Sequence, residues 1–320
     1  MIRIGVIGAG GNGRGHARYF HGNPRSQVVA VADPAVELAK AVAEEVGARA
    51  LADYREFLDD VDAVVISSPN FLHREQAVAC ARAGKHVLCE KPMGLSIQQA
   101  QEIADAVTKA GVKSLIGFSV SFTDSIQTML KYSREGRLGT LISVWSRRLV
   151  YSDPARAHGW RADHSLSGGL LYEINIHELE WMMRLGGPVQ SVYARTWARD
   201  RKTPRANDHL WFILNFAGGA VGSHEGSQAS PSHEFQRGVI GTGGGMITDR
   251  WGRGALYTKA GEKEVAAEME PNFDKDGHFL DCIEKGAEPV ADVRWGLTVM
   301  AAAEAIIQSA ASGQVVKIGS

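Results

Sequence analysis

Gly8-Ala9-Gly10-Gly11-Asn12-Gly13 decides the fold of this chain. It lies between a β-branched run at residues 3–7 and a helix-like stretch at 15–21, and it fits G-x-G-x-x-G. In such a turn the first glycine permits the sharp exit from the strand. The second lets the backbone approach a pyrophosphate, and the third lets the helix pack close to the strand. The phosphates then sit at a helix N-terminus, where free N–H groups and the dipole favour negative charge. Glycine-rich turns are common, so context gives the motif its weight. Here it follows the first strand, opens a helix, and is followed about twenty residues on by an acid, Asp33, at a strand end. A carboxylate there accepts hydrogen bonds from ribose hydroxyls and repels a 2′-phosphate, and the next residue is Pro34 rather than a basic one. The expected cofactor is NAD, with NADP disfavoured.

Outward from this turn, strand and helix signals alternate. Strands are expected at 27–32, 62–67, 86–89 and 114–118. Helices are expected at 36–46, 71–83 and 97–110, closed by Gly47, Gly84 and Gly111. Short apolar strands separated by helices imply βαβ units and a doubly wound parallel sheet. The pattern changes after residue 120. Residues 140–150, 189–197, 209–216 and 220–225 read as antiparallel strands, and Asn215-Phe216-Ala217-Gly218-Gly219 supplies a hairpin turn. One helix, 170–185, interrupts the series. A last helix at 296–311 and a short strand at 315–318 close the chain. A second glycine cluster, Gly241-Thr242-Gly243-Gly244-Gly245, lacks parallel-sheet context and reads as a turn. The expected architecture is an α/β Rossmann domain over 1–120 and an α+β domain with an open, mainly antiparallel sheet over 121–320. The last helix is a candidate to pack back on the first domain.

Composition narrows the partners. The chain has 320 residues, with 35 Lys plus Arg against 36 Asp plus Glu. No basic excess is present to displace counterions from a phosphate backbone, so nucleic acid is not expected. The best apolar run, 299–307, is short and broken by Glu304, so no membrane span is expected. The N-terminal residues run straight into strand-like sequence rather than a signal peptide. Cys80, Cys89 and Cys282 form no paired framework and suit reduced, buried thiols in a cytoplasm.

One stretch carries a resemblance. It contains Ser67-Ser68-Pro69-Asn70, His73, and Gly84-Lys85-His86-Val87-Leu88-Cys89-Glu90-Lys91-Pro92. Further on stand Gly136-Arg137-Leu138-Gly139, Trp160-Arg161, Ser167-Gly168-Gly169 with Glu173 and His177, and Gly313-Gln314-Val315-Val316. The chain resembles the Gfo/Idh/MocA oxidoreductases, which include glucose–fructose oxidoreductase and inositol dehydrogenases. The resemblance implies a substrate held between the domains and a homodimer or homotetramer joined through the second sheet. It implies that Ser67, Ser68, Pro69, Asn70 and His73 line the cofactor. Glu90 and Lys91 would lie near the nicotinamide ribose, with Trp160 and Arg161 reaching in from the second domain. Lys91 and His177 match the family's catalytic pair.

Hydride transfer from a secondary alcohol needs a base for the hydroxyl proton and a stabiliser for the developing alkoxide. His177 titrates near neutrality when unperturbed. Lys91 either lowers the alcohol's pKa or takes the proton itself, and which group is the base stays open. Glu173 stands four residues before His177, on one helical face. The family usually has aspartate there, so the reach to substrate differs by one methylene. A second departure is Ser119-Val120-Ser121, where many relatives carry a basic triplet, and it points to an uncharged substrate. Arg147, Tyr151 and Tyr172 are candidate substrate contacts, and Trp160 offers a stacking surface. His158, His164, Glu173 and His177 match no metal spacing, so no metal is expected. The expected activity is NAD-dependent oxidation of a secondary hydroxyl of a neutral sugar, polyol or cyclitol, or reduction of the corresponding ketone. The rivals are an NAD-using glycosidase and a non-catalytic dinucleotide-binding regulator.

Overall fold

The computed structural model describes residues 1–153, 159–199, 208–249, 251–258, 260–264 and 273–319. The chain divides into two compact units, Met1–Gly117 with Asp274–Met300, and Phe118–Phe273 with Ala301–Ser320.

The first unit begins with β1 (Ile2–Ile7), α1 (Gly11–Gly22), β2 (Ser26–Ala32), α2 (Val36–Val46) and β3 (Arg49–Leu51). It continues through β4 (Ala63–Ile66), α3 (His73–Arg82), β5 (His86–Glu90), α4 (Ile97–Ala110) and β6 (Ser114–Gly117). The strands form one six-stranded sheet in the order β3-β2-β1-β4-β5-β6. Every pairing in it is parallel. A parallel sheet covered on both faces needs continuous apolar strands, and all of β4 is buried. Strand order reverses between β1 and β4, which opens a crevice at their carboxyl ends. The glycine turn after β1 and the Ser67–Asn70 turn after β4 stand at that reversal.

The second unit contains α5 (Asp124–Arg134), β7 (Leu141–Tyr151), α6 (His164–Ser167), α7 (Ile176–Gly186), β8 (Val189–Trp197), β9 (His209–Phe216) and β10 (Val221–Ser227). Then come β11 (Ala229–Gly241), β12 (Gly244–Thr248), β13 (Gly254–Thr258) and β14 (Gly261–Glu264). Two later helices follow, α8 (Lys275–Glu284), which belongs to the first unit, and α9 (Val293–Ser312), which is shared between the two, before β15 (Val316–Lys317). Among the described residues, nine strands of this unit form one sheet in the order β14-β13-β12-β11-β7-β10-β9-β8-β15. All pairs are antiparallel except β10 with β7. In β9 burial alternates strictly from Leu210 to Phe216, as a sheet with one packed face requires.

Three features differ from the sequence reading. The expected helix 170–185 is two pieces, a π-helical turn at Leu171–Asn175 and α7. The segment 229–264 forms four strands that glycine and polar residues hide from pattern reading. Its glycine cluster joins β11 to β12, with the Thr242 and Gly243 amides bonded to the Thr140 and Leu138 carbonyls. Helices α5 and α8 add to the expected set, and polar residues that interrupt their apolar stripes conceal them. The hairpin at 215–219 forms as expected between β9 and β10.

Two carboxylates lie deep in the second unit. Glu178 accepts from Arg237 at 2.7 and 2.9 Å and from the Trp181 indole at 2.7 Å. Burial opposes its ionisation, but the Arg237 charge wins and holds its pKa well below the usual carboxylate range. Glu180 accepts from Arg184 and Ser121. His224 is buried against Ser146 and Phe212, and burial pushes its pKa down to about 4. The three cysteines are buried, and no helix among the described residues is long and apolar enough to cross a membrane.

Candidate active site

The turn between β1 and α1 is shaped by close approach. Gly8 has φ +93°, a conformation that disfavours side chains, and a Cβ at Gly13 would lie 1.8 Å from the Gly8 carbonyl oxygen. Around Gly10 and Gly11, by contrast, the Cβ positions face open space. The result is a cradle floored by backbone at Gly8 and Gly13 and open over Gly10, Gly11 and Asn12, at the N-terminus of α1. The cap residue Gly10 offers no side chain to the free helix amides. Ser67, across the reversal, has a buried hydroxyl with no hydrogen-bond partner among the described residues. Open amides, an orphaned hydroxyl and an acid at the end of β2 fit a dinucleotide. Asp33 also braces the backbone on either side of it, since its carboxylate accepts from the Ala9 amide at 2.9 Å and from the Ala35 amide at 2.8 Å.

The turn after β4 is held from within. The Ser68 hydroxyl donates to Gln76, Asn70 is buried, and Pro69 is half-buried between them. The His73 ring nitrogens lie 2.8 Å from the Pro92 carbonyl oxygen and 2.9 Å from that of Ser68. Burial pushes its pKa down against the pull of those carbonyls. His73 thus packs between the turn and the segment after Lys91, and its neutral ring donates to one of the two carbonyls. Glu90 is buried, and its carboxylate is engaged by His16 at 3.1 Å and Lys275 at 3.0 Å. Lys91 is half-buried at the end of β5.

In the second unit a cavity of about 780 Å³ is lined by Tyr151, Asp153, Arg161, His164, Ser167, Glu173 and Gln228, among others. Arg161 donates from Nε to Glu173 Oε1 at 2.6 Å, and its guanidinium lies 4.5 Å over the Trp160 ring. The π-helical turn carries Glu173 to the cavity. His177, in the first turn of α7, is buried and is not among the described lining residues. Its neighbour Glu178 anchors the helix through Arg237.

Several expectations change. Tyr172 is 1% exposed with its hydroxyl 3.4 Å from Glu304, so it is core and offers no face to a sugar. Arg147 is exposed on β7 and is not among the residues lining the cavity. It pairs with Glu225 at 2.7 Å and Glu234 at 2.9 Å. Ser121 is buried and donates to Glu180, so within the 119–121 triplet that side chain is committed to the interior. Tyr151 does line the cavity. Sequence reasoning missed Asp153 and Gln228 there, and it missed His16, Lys275 and Asp276 around Glu90. No motif marks these, because their partners are distant in sequence. His158 lies outside the described residues. Among those described, no cluster of three or more His, Cys, Asp or Glu could hold a metal ion.

Two family models match the chain. Residues 2–118 match one described as an oxidoreductase family with an NAD-binding Rossmann fold, and 126–247 match the GFO/IDH/MocA C-terminal domain. The inositol 2-dehydrogenase of Rhizobium meliloti (strain 1021) is 29% identical over 346 aligned positions, 99% of each chain. An uncharacterized oxidoreductase of Streptococcus pneumoniae serotype 4 is 31% identical over 61% of this chain, and the match spans only about half of that protein, 53%. A solved levoglucosan dehydrogenase in complex with NADH and L-sorbose superposes with a TM-score of 0.89 over 99% of both chains, at 24% identity, a likeness of fold.

Proposed function

The chain belongs to the Gfo/Idh/MocA family of NAD-binding oxidoreductases, and from that premise we propose that it oxidises a secondary hydroxyl of a neutral sugar, polyol or cyclitol, or reduces the matching ketone. The observation that carries the substrate class is the Arg161–Glu173 pair. It joins a cation and an anion of the lining, so neither an acid nor an amine finds an unmatched partner in that pair. Tyr151, Asp153, His164 and Gln228 add the donors and acceptors that a polyhydroxylated ligand needs. Relatives named for inositol and levoglucosan point to the same class.

Gly8, Gly10, Gly11, Asn12 and Gly13 would hold the pyrophosphate, and Asp33 the adenosine ribose. Ser67, Ser68, Pro69, Asn70, His73, Glu90, Trp160 and Arg161 would complete the surroundings. Bound NAD supplies the acceptor for the hydride that leaves the carbinol carbon. The hydroxyl proton passes to Lys91 or His177 as the C–O bond gains its second bonding pair. The other group steadies the charge on oxygen, with Glu173 binding a substrate hydroxyl.

The outward face of the second sheet exposes Trp197, Trp211, Ile213, Val221 and Tyr257. We assign it to a second copy of this chain, since a patch of that character is uncommon on a monomer. Three unpaired thiols suit a reducing cytoplasm. The test is NADH absorbance with NAD and a panel of myo-inositol, levoglucosan, glucose and glucuronate. Oxidation of a neutral member supports the reading. Glycoside cleavage without net NADH, or inertness across the panel, overturns it in favour of the glycosidase or the regulator.

A further inference from the structure

The ring of His16 lies between two carboxylates. Its Nε2 is 3.1 Å from Glu90 Oε1 and its Nδ1 is 3.0 Å from Asp276 Oδ2. Ionised carboxylates only accept hydrogen bonds, so a ring making both bonds must carry two N–H groups. Lys275 completes the cluster, 3.0 Å from Glu90 and 3.6 Å from Asp276. All four side chains are at most 15% exposed. With His16 protonated, two cations face two anions and the buried charge balances. With His16 neutral, one negative charge is left unmatched in the interior.

The cluster joins three elements. His16 is on α1, whose N-terminus forms the dinucleotide cradle. Lys275 and Asp276 open α8. Glu90 ends β5, and its carboxylate is packed so close to β6 that a Cβ at Gly117 would lie 2.7 Å from it. The next residue is Lys91. On its far side the Pro92 carbonyl oxygen lies 2.8 Å from His73 Nδ1. Lys91 thus leaves the sheet between two fixed points.

We infer that His16 is a positioning residue for Lys91, and that its imidazolium, through Glu90, ties the placement and charge of Lys91 to the helix of the dinucleotide cradle. This rests on the proton-transfer role proposed above for Lys91. The groups facing His16 are Glu90 from β5 and Lys275 and Asp276 from α8. On its own helix Tyr19 is turned to Asp274. Burial alone would push the His16 pKa down, but the hydrogen bonds to Asp276 and Glu90 outweigh it and the pKa is raised. As pH rises past that value the cluster becomes net negative beside Lys91. The neutral ring keeps one N–H and can hold only one of Glu90 and Asp276, and Lys91 holds its proton more tightly.

The test needs no substrate. Histidines are labelled with ¹⁵N and lysines with ¹³C-methyl groups, and both are titrated by NMR in the whole protein, with Lys91→Arg to assign the Lys91 signal. His16 should titrate above the ordinary imidazole value of about 6.5, and Asp276→Asn should bring it down. His16→Gln, which leaves the cluster negative, should raise the Lys91 pKa by about one pH unit and shift its resonance. A merely structural His16 would change the melting temperature and leave the Lys91 titration alone. That outcome, in both His16→Gln and Asp276→Asn, overturns the inference. If His16→Gln does not fold, the Asp276→Asn titrations of His16 and Lys91 decide alone. Turnover separates the two readings. If Lys91→Ala still oxidises the panel substrate, the catalytic role of Lys91 fails, while the NMR link stands or falls by itself.

Discussion

The carboxylate of Asp33 accepts a hydrogen bond from the Ala9 amide, 2.9 Å away and 24 residues earlier in the chain. The acid expected to meet the ribose therefore also braces the turn that meets the pyrophosphate. Asp33→Ala removes both functions at once. Asp33→Asn keeps an acceptor for one amide and removes the charge, so it isolates the electrostatic choice between cofactors. By calorimetry, Asp33→Asn is expected to weaken NAD binding about tenfold, or about 1.4 kcal/mol, and to narrow its preference over NADP. Asp33→Ala should weaken both. An unchanged preference in Asp33→Asn would sink the ribose argument.

Lys91→Ala and His177→Ala should each lower kcat by about two orders of magnitude or more, the range for losing a general acid–base group. NAD affinity should stay within about threefold, because neither side chain contributes to the phosphate cradle. Stopped-flow turnover and calorimetry on the same samples check this. Normal turnover in either variant would remove that residue from the proton-transfer pair.

Glu173→Gln breaks the charge match with Arg161 while keeping the side chain's size. An unmatched guanidinium then faces the cavity. The expected outcome is a fall of about tenfold in kcat/KM for the neutral substrate, near the loss of one charged hydrogen bond. Glucuronate should become a better ligand by a similar factor. Equal losses for neutral and acidic sugars would mean that Glu173 does not set the charge preference.

Arg237→Ala leaves Glu178, which is 1% exposed at its side chain, without its main partner in the interior. Losing one member of a buried pair costs about 3–5 kcal/mol. Urea unfolding should show that loss. The double replacement Glu178→Gln with Arg237→Met should recover part of it, because no charge is then stranded. Since α7 begins one residue before His177, turnover should fall in the single variant even where it remains folded. A single variant as stable as the parent would mean the pair is solvated.

Stability should peak at mildly acidic to neutral pH. His16 binds its proton more tightly folded than unfolded. Its contribution is therefore complete below about 6.5 and is lost as pH rises through the raised folded value. Glu90 and Asp276 run the other way. Burial opposes their ionisation, but Lys275 and His16 hold the Glu90 pKa well below the usual range, and His16 does the same for Asp276. Their contribution is present above the ordinary carboxylate range of about 4 and is lost as pH falls. Melting temperature against pH should lose its alkaline decline in His16→Gln. An unaltered alkaline limb would place that titration elsewhere.

The amino-acid sequence by itself determined the dinucleotide half of the protein. A glycine turn, an acid at a strand end and a strand–helix alternation are local rules, acting over a few to about thirty residues. They led to the parallel sheet and the cradle at Gly8–Gly13. The tertiary structure alone decided what surrounds them. Glu90 meets His16 across 74 residues and His16 meets Asp276 across 260, distances at which no periodicity or spacing operates. The same limit explains Tyr172 and Arg147. Both lie near a plausible site in sequence, yet packing buries Tyr172 in the core and pairs Arg147 with Glu225 and Glu234. In the cavity of the second unit, Arg161 meets Glu173 because a π-helical turn carries Glu173 there, a bend that helical spacing did not contain. Local chemistry is written along the chain. Which charges neutralise each other depends on packing that brings distant segments together.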